Sequence, residues 1–341
     1  MMNKATLSSP EHTNDLVTMA FHVGVVGCGR WGTKHLETLV LLKHQGFIDE
    51  IYACDINRGR LEEIYPTIDE VFLNWRDMCH SAQLDLVSIV TPNSSHLSLG
   101  VAMLEQGLNV LIEKPLGASF DEVKRLCEAA KMSTGTLHSG YLLRHHPGVK
   151  LAKKLIEDYS IGRVKSVRFT KYSSRKKPSN ANAIENLVSH AFSIIPSLIT
   201  PSKSPLFSTV MTLEDGKPAP LTTAPQAKVH LTYPGQATNS DTEVEVHVGW
   251  QQADCNLFTI EGTKQHIRLN FREHNSIELG TQKTGYRTIP TLHPIPPLEA
   301  QYRYILSNAH SPHMLAEDHL QTAELLDKAT SLAQYWYLHN A

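Results

Sequence analysis

The sequence HVGVVGCGRWG at residues 22–32 decides the fold of the first half of the chain. Its apolar start is typical of a strand buried inside a parallel sheet. The glycines that follow have the spacing GxGxxG, and apolar side chains then recur at helical spacing until Gly46, a residue type that commonly terminates helices. The order strand, glycine turn, helix is therefore predicted for this stretch.

A strand that passes through a glycine turn into a helix is a place where a pyrophosphate can bind. Gly27, Gly29 and Gly32 let the backbone come close to the phosphates, and the helix N-terminus offers free N–H groups. Asp55 ends the next predicted strand, where a carboxylate accepts hydrogen bonds from the adenosine ribose. We therefore expect a dinucleotide cofactor, with NAD favoured and with NADP left as an alternative by the nearby Arg58.

Strands and helices alternate through the rest of the first half. Buried-strand patterns at residues 84–91 and 108–112 alternate with helical patterns at residues 97–106 and 119–131. This alternation predicts a Rossmann-type, doubly wound parallel sheet, and ligands bind such sheets at the carboxyl ends of their strands.

The second half changes to a period of two, as in residues 229–233 and 244–248, which predicts strands with one buried face. Residues 200–226 are rich in Pro, Ser and Thr and are predicted to form a long surface excursion. The predicted fold class is α/β plus α+β, with an N-terminal doubly wound parallel sheet and a C-terminal open, mainly antiparallel sheet with helices on one face. The predicted boundaries are a tail at 1–20, a dinucleotide-binding Rossmann domain at 21–142 and a substrate-binding and oligomerisation domain at 143–341.

Two further segments, Thr91-Pro92-Asn93-x-x-His96 and Glu113-Lys114-Pro115-Leu116, follow predicted strands. Together with the glycine turn they resemble the Gfo/Idh/MocA family, whose members include glucose-fructose oxidoreductase and inositol dehydrogenase. The likeness covers most of residues 22–337, and it implies the family's fold and an NAD(P)-dependent oxidoreductase. The expected cofactor-binding residues are Gly27, Gly29, Arg30, Trp31, Gly32, Asp55, Arg58, Thr91, Pro92, Asn93, His96, Glu113 and Lys114.

The resemblance also implies which residues are catalytic. Lys114 is the lysine of the family's EKP motif, beside the nicotinamide and the reacting carbon, and His190 matches the histidine that exchanges a proton with the substrate hydroxyl. Family members usually have an aspartate four residues before that histidine, where this chain has Asn186. An amide adds no negative charge, so we expect His190 to be a weaker base. The expected substrate-contacting residues are Lys114, Arg144, Asn186 and His190.

Basic residues in the segments expected to line the cleft, namely Arg144, Lys171 and residues 175–177, favour a phosphate-bearing substrate or a solvated basic loop. The expected reaction moves a hydride between nicotinamide and a secondary alcohol or ketone of a sugar, sugar nucleotide or cyclitol. A sensor that binds the dinucleotide without chemistry and an imine reductase are the alternatives. We expect a homodimer or homotetramer formed through the C-terminal sheet.

Composition excludes several other classes of protein. The chain has 341 residues, enough for two domains, and its 41% hydrophobic content indicates a globular protein. A net charge of −2 offers no general attraction to nucleic acid or anionic lipid. No apolar run reaches the roughly 20 residues of a spanning helix, and a cytoplasmic protein is expected.

The five cysteines lack paired spacing and are predicted to be reduced. The histidine-rich segment 310–319 is interpreted as surface histidines at the start of a helix and not as a metal site, because Pro312 interrupts the helix.

Overall fold

The structure is a computed structural model that describes residues 21–64, 68–179, 181–199, 203–235, 240–308 and 316–341. The predicted tail at 1–20 lies outside the described residues. The polypeptide forms two sheets, a six-stranded sheet in the first half and a nine-stranded sheet in the second.

The first sheet is parallel, with the strand order β3-β2-β1-β4-β5-β6 of a doubly wound dinucleotide-binding fold. This confirms the predicted Rossmann topology. Strand β1 is apolar because it is covered on both faces, and Val23 and Val25 are completely buried. Its elements are β1 (Phe21–Val26), α1 (Arg30–His44), β2 (Ile48–Cys54), α2 (Arg58–Ile64), β3 (Glu70–Phe72), α3 (Trp75–Ser81), β4 (Leu86–Ile89), α4 (His96–Leu104), β5 (Asn109–Ile112), α5 (Phe120–Met132) and β6 (Leu137–Ser139).

Helix boundaries in this half follow local sequence signals. Helix α1 is followed by Gly46, whose φ of +78° suits a residue without a side chain. Helix α5 begins after Ser119, whose hydroxyl accepts a hydrogen bond from the backbone N–H of Glu122, as the predicted capping box requires. The glycine turn lies between β1 and α1, at the carboxyl end of β1, where the sequence predicts it.

The second sheet is mainly antiparallel and includes one parallel pair, β7 with β11. Strand β10 alternates between buried and half-buried positions, because helices cover only one of its faces. Its elements are α6 (Pro147–Glu157), β7 (Val164–Ser173), α7 (Ser189–Phe192), α8 (Ile195–Ile199), β8 (Leu206–Glu214), β9 (Lys217–Pro218), β10 (Gln226–Tyr233), β11 (Thr242–Trp250), β12 (Cys255–Gly262), β13 (His266–Asn270), β14 (Ser276–Thr281), β15 (Gly285–Pro290), α9 (Pro297–Ser307) and α10 (Ala316–Asn340).

The predicted surface excursion at residues 200–226 is wrong at strand β8, Leu206–Glu214. Strand β8 pairs in antiparallel fashion with β10, and Val210 and Leu213 are buried. The Pro, Ser and Thr residues of this segment lie mostly in the connections that flank the strand, and they obscure the apolar alternation within it.

The two C-terminal helices join the two halves. Tyr302, Ile305 and Leu306 of α9 lie in the same buried cluster as Val23 and Val25 of β1, and α10 packs against α5. The predicted domain boundary at residue 142 stays a prediction.

Candidate active site

Each glycine of the turn after β1 has its own physical role. Gly27 has a φ of +100°, and a Cβ at Gly32 would lie 1.9 Å from the carbonyl oxygen of Gly27. The helix and the turn could not pack this closely with larger residues. At Gly29, by contrast, the nearest atom to an added Cβ is a guanidinium nitrogen of Arg60, 3.8 Å away. Gly29 therefore leaves open space beside the turn.

The N-terminus of α1 suits an anion. Gly29 caps the helix without a side-chain hydrogen bond, and its first turn contains no acidic residue. The first amide groups of a helix have no partners within the helix and carry a partial positive charge. A dinucleotide pyrophosphate fits these residues, with the glycines allowing its approach and the helix amides binding its oxygens.

The ribose-binding position predicted at Asp55 is built into the turn. This buried carboxylate accepts hydrogen bonds of 2.8 Å from the backbone N–H groups of Cys28 and Asn57. A guanidinium nitrogen of Arg60 lies 3.3 Å from the same carboxylate, whereas Arg58 pairs with Glu62 on the exposed side of α2. Sequence reasoning singled out Arg58 and missed Arg60, although both lie in the first turn of the helix after Asp55.

The segment after β4 forms the next wall of the site. The ring nitrogens of His96 lie 2.9 Å from the carbonyl oxygens of Thr91 and Pro115, so this side chain joins the loops that follow β4 and β5. Asn93 places a buried side-chain oxygen without a partner among the described residues. Pro92 begins a short 3-10 turn, Asn93–Ser95, that leads into α4.

A cleft of about 560 Å³ contains both predicted catalytic residues. This volume is in the usual range for a small-molecule site. Lys114 comes from the first half of the chain and His190 from the second, and the structure brings them to one cleft. The described residues that line it are Arg30, Trp31, Val90, Thr91, Glu113, Lys114, Leu142, Leu143, Lys171, His190, Asn256, Phe271, His274 and Pro297.

Lys114 follows β5, and its amino group donates a hydrogen bond of 3.3 Å to the backbone carbonyl of Asn186. Burial lowers the pKa of Lys114, and the neighbouring Glu113 opposes this effect. Burial alone would raise the pKa of Glu113, but the hydrogen bond from His35 and the charges nearby hold it below its usual value. Glu113 is therefore an ionised carboxylate next to Lys114.

Glu113 is held by a buried chain of hydrogen bonds. Its Oε1 lies 3.2 Å from Nε2 of His35, the Nδ1 of His35 lies 2.7 Å from the hydroxyl of Tyr302, and that hydroxyl lies 2.8 Å from Oγ of Ser88. Nε2 of His35 donates to the carboxylate, because a carboxylate can only accept, and the hydroxyls of Tyr302 and Ser88 continue the chain from Nδ1. Sequence reasoning missed this chain, because its members are separated by up to 267 residues.

His190 lies in α7, directly after a π-helical turn at Ile184–Val188. Burial, followed by the charges of Lys171 and Lys114, lowers the pKa of His190 well below its ordinary value. The imidazole is therefore neutral near pH 7. Asn186 supplies no compensating charge, and its side-chain amide donates to the carbonyl of Asn182 at 3.2 Å.

The other predicted substrate-binding cations divide into two groups. Lys171 lines the cleft, but Arg144 is held elsewhere, with its guanidinium donating to the carbonyls of Ser193 and Asp318 and to the hydroxyl of Thr322. Arg144 thus joins the helical segment around α7 to α10. The basic residues 175–177 are not among the described residues that line the cleft.

The histidine-rich segment gives no metal site among the described residues. His310 and His313 lie outside those residues. His319 is buried, and its Nε2 lies 3.3 Å from the carbonyl oxygen of Leu137, so the interpretation as a surface histidine is wrong at this position. All five cysteines are free.

Residues 21–141 match the model of the Gfo/Idh/MocA oxidoreductase family, NAD-binding Rossmann fold. This stretch of the chain thus carries the NAD-binding Rossmann domain of that family. It is 35% identical over 97 residues to a levoglucosan dehydrogenase of Pseudarthrobacter phenanthrenivorans, covering 28% of this chain and 25% of the relative. It is 28% identical over 153 residues to a myo-inositol 2-dehydrogenase of Thermotoga maritima, covering 43% and 44%. These alignments thus span a quarter to under half of the length of the curated relatives.

Solved structures share the fold over nearly the whole length of the chain. A levoglucosan dehydrogenase in complex with NADH and levoglucosan has a TM-score of 0.76 at 19% identity, covering 93% of this chain and 98% of that one. A myo-inositol 2-dehydrogenase from Lactobacillus plantarum has a TM-score of 0.74 at 18% identity, with the same coverage. No helix within the described residues has the length and apolarity to cross a membrane.

Proposed function

We propose that the protein is a dehydrogenase that moves a hydride between NAD and a secondary alcohol or ketone of a sugar, sugar nucleotide or cyclitol. The observation that carries this proposal is the cleft in which Lys114 and His190, from different halves of the chain, meet near the cofactor turn. The names of the relatives, levoglucosan dehydrogenase and myo-inositol 2-dehydrogenase, support a polyol-like substrate.

In the oxidation direction, the neutral imidazole of His190 takes the proton of the substrate hydroxyl. The ammonium of Lys114 binds the same oxygen and stabilises the negative charge that develops on it. NAD, when bound, supplies the hydride acceptor, and its reduced form supplies the hydride for the reverse reaction. Asn186 holds the lysine through its backbone carbonyl.

The cofactor-binding roles follow from position. Gly27, Gly29 and Gly32 with the N-terminus of α1 bind the pyrophosphate, and Asp55 binds the adenosine ribose. Arg60, beside Asp55, would meet a ribose 2′-phosphate and keeps NADP as the second cofactor to test. The remaining residues proposed to contact the cofactor are Arg30, Trp31, Arg58, Thr91, Pro92, Asn93, His96, Glu113 and Lys114.

The test follows the absorbance of reduced nicotinamide with NAD and NADP and a panel of sugars, sugar nucleotides and cyclitols. Lys114→Met should reduce turnover by about 100-fold or more, as expected for loss of a charge-stabilising group, while leaving cofactor affinity nearly unchanged. Lys165→Met, an exposed lysine at the start of β7, is the matched control. Near-normal turnover by Lys114→Met would remove this lysine from the mechanism, and cofactor binding without turnover on the alcohol panel would favour the sensor or the imine reductase.

Two other expectations stay predictions. Assembly into a dimer or tetramer through the C-terminal sheet is checked by light scattering of the purified chain. The cytoplasmic location is checked by cell fractionation.

A further inference from the structure

The cleft carries more positive than negative charge. Arg30, Lys114 and Lys171 line it, and Glu113 is the one carboxylate among its described lining residues. Glu113 is already engaged, because its oxygens accept hydrogen bonds from His35 and from the backbone N–H of Lys114. The charge of Lys171 is therefore left without a counter-ion in the cleft.

Lys171 lies on β7, on the wall that the second sheet contributes. Its amino group donates a hydrogen bond of 3.3 Å to the side-chain oxygen of Asn256, a neutral group, and no described carboxylate pairs with it. The nearby Arg272 is paired with Asp254 at 2.6 Å, so that acid is occupied. Burial, followed by the charges of Lys114 and Arg272, lowers the pKa of Lys171 to about 8.

A half-buried ammonium without a counter-ion costs free energy that a bound anion would offset. His274 lines the same cleft. Both groups lie on the second-sheet side of the cleft, whereas Lys114 enters from the first sheet.

We propose that Lys171 and Asn256 bind an anionic group, a carboxylate or a phosphate, carried by the substrate that reacts at Lys114 and His190. The inference rests on the proposed function for the reaction itself. An ammonium is a compact charge that accepts either anion, so the shared chemistry is a negative group on a sugar-like molecule. Its negative charge would also oppose the effect of Lys171 on His190 and so favour protonation of the imidazole, which Asn186 cannot do.

The test measures binding, not turnover, by calorimetric titration of the NADH-loaded protein. The probes are glucuronate for the carboxylate, glucose 6-phosphate for the phosphate, and glucose as the neutral reference. A charged hydrogen bond is worth about 10- to 100-fold in affinity, so one anionic probe should bind at least about tenfold more tightly than glucose. Lys171→Gln should abolish this difference without changing NADH affinity, and Lys165→Gln should preserve it.

The outcomes separate the two proposals. Preference for glucuronate or for glucose 6-phosphate identifies the anion as carboxylate or phosphate. Equal binding of all three probes, no binding of either anionic probe, or a preference that survives Lys171→Gln would overturn the subsite. Inorganic phosphate that binds as tightly as glucose 6-phosphate would show a free-anion site and overturn the link to the substrate. Oxidation of neutral polyols with no charge preference would support the dehydrogenase proposal and refute the anionic subsite. Lys171-dependent binding without turnover on any compound would support the subsite and refute the dehydrogenase proposal.

Discussion

Replacing Tyr302 by phenylalanine tests the buried chain that holds Glu113 beside Lys114. Tyr302 is 0% exposed, and its hydroxyl contacts both Ser88 and His35. Phenylalanine keeps the ring and removes only the hydroxyl, so each of these two neighbours loses a hydrogen-bond partner inside the protein. The variant therefore isolates the contribution of this one hydroxyl to the buried chain.

The magnitude follows from two hydrogen bonds. A net contribution of about 1 kcal/mol each predicts that Tyr302→Phe lowers the free energy of unfolding by about 2 kcal/mol. With an unfolding entropy of roughly 2.1 cal/mol/K per residue, a chain of 341 residues should show a Tm lower by about 3 °C. A cycle that adds Ser88→Ala should give a coupling energy of about 1 kcal/mol, because the two residues share one bond.

The assay is urea unfolding followed by circular dichroism, together with calorimetry for Tm. The matched control is Tyr304→Phe on the same helix, since the hydroxyl of Tyr304 makes no hydrogen bond to a described residue. The control should change the free energy of unfolding by less than about 0.5 kcal/mol. Equal stability of the two variants, or a coupling energy of zero with Ser88→Ala, would refute the role of the buried chain.

Three other substitutions or titrations address the cleft. Gly32→Ala should weaken NADH binding by more than about tenfold and lower Tm, because its Cβ would meet a backbone oxygen at 1.9 Å. Gly29→Ala should weaken NADH binding and leave Tm unchanged. Fluorescence titration measures NADH affinity and calorimetry measures Tm, and an unchanged Tm for Gly32→Ala would contradict the packing argument. Asn186→Asp should raise the pKa of His190, since a negative charge favours the imidazolium, and the acid limb of the kcat/KM profile should then move to higher pH. A shift to lower pH would count against this role of residue 186. If Lys171 binds an anion, affinity for that anionic probe should be full below pH 8 and fall as the pH rises through the lysine pKa of about 8, because Lys171 then loses its proton. The groups that face Lys171 are Lys114, His190, Arg272 and Asn256. A flat affinity profile from pH 7 to pH 9 would exclude Lys171 as the anion-binding group.

The first sheet could be predicted because its signals are local. The apolar run of β1, the glycine spacing and the acid at residue 55 lie within one short stretch, and each has a single physical reading in that order. The meeting of Lys114 and His190 could be expected from the family resemblance alone. Nothing in the residues between them specifies that the loop after β5 and helix α7 face one cleft.

Other parts of the site depend on contacts between distant segments. Arg144 carries a charged group of the kind that binds substrates. Because α10 lies beside it, its guanidinium donates hydrogen bonds to carbonyl oxygens of the protein instead. Lys171 resembles any lysine on a strand until β12 places Asn256, and no carboxylate, beside it. Strand β8 was missed because its alternation is interrupted by polar residues, and its pairing with β10 decides its structure.

The position of α9 has a consequence for how the chain is made. Residues near position 300 complete a buried cluster that begins at Val23, so the first sheet cannot cover that face until these residues have left the ribosome. Strand β1 must therefore remain partly uncovered until α9 has been synthesised. A fragment ending at residue 142 should therefore expose apolar surface and aggregate, and expression of the full chain should depend on protection of the nascent N-terminal half.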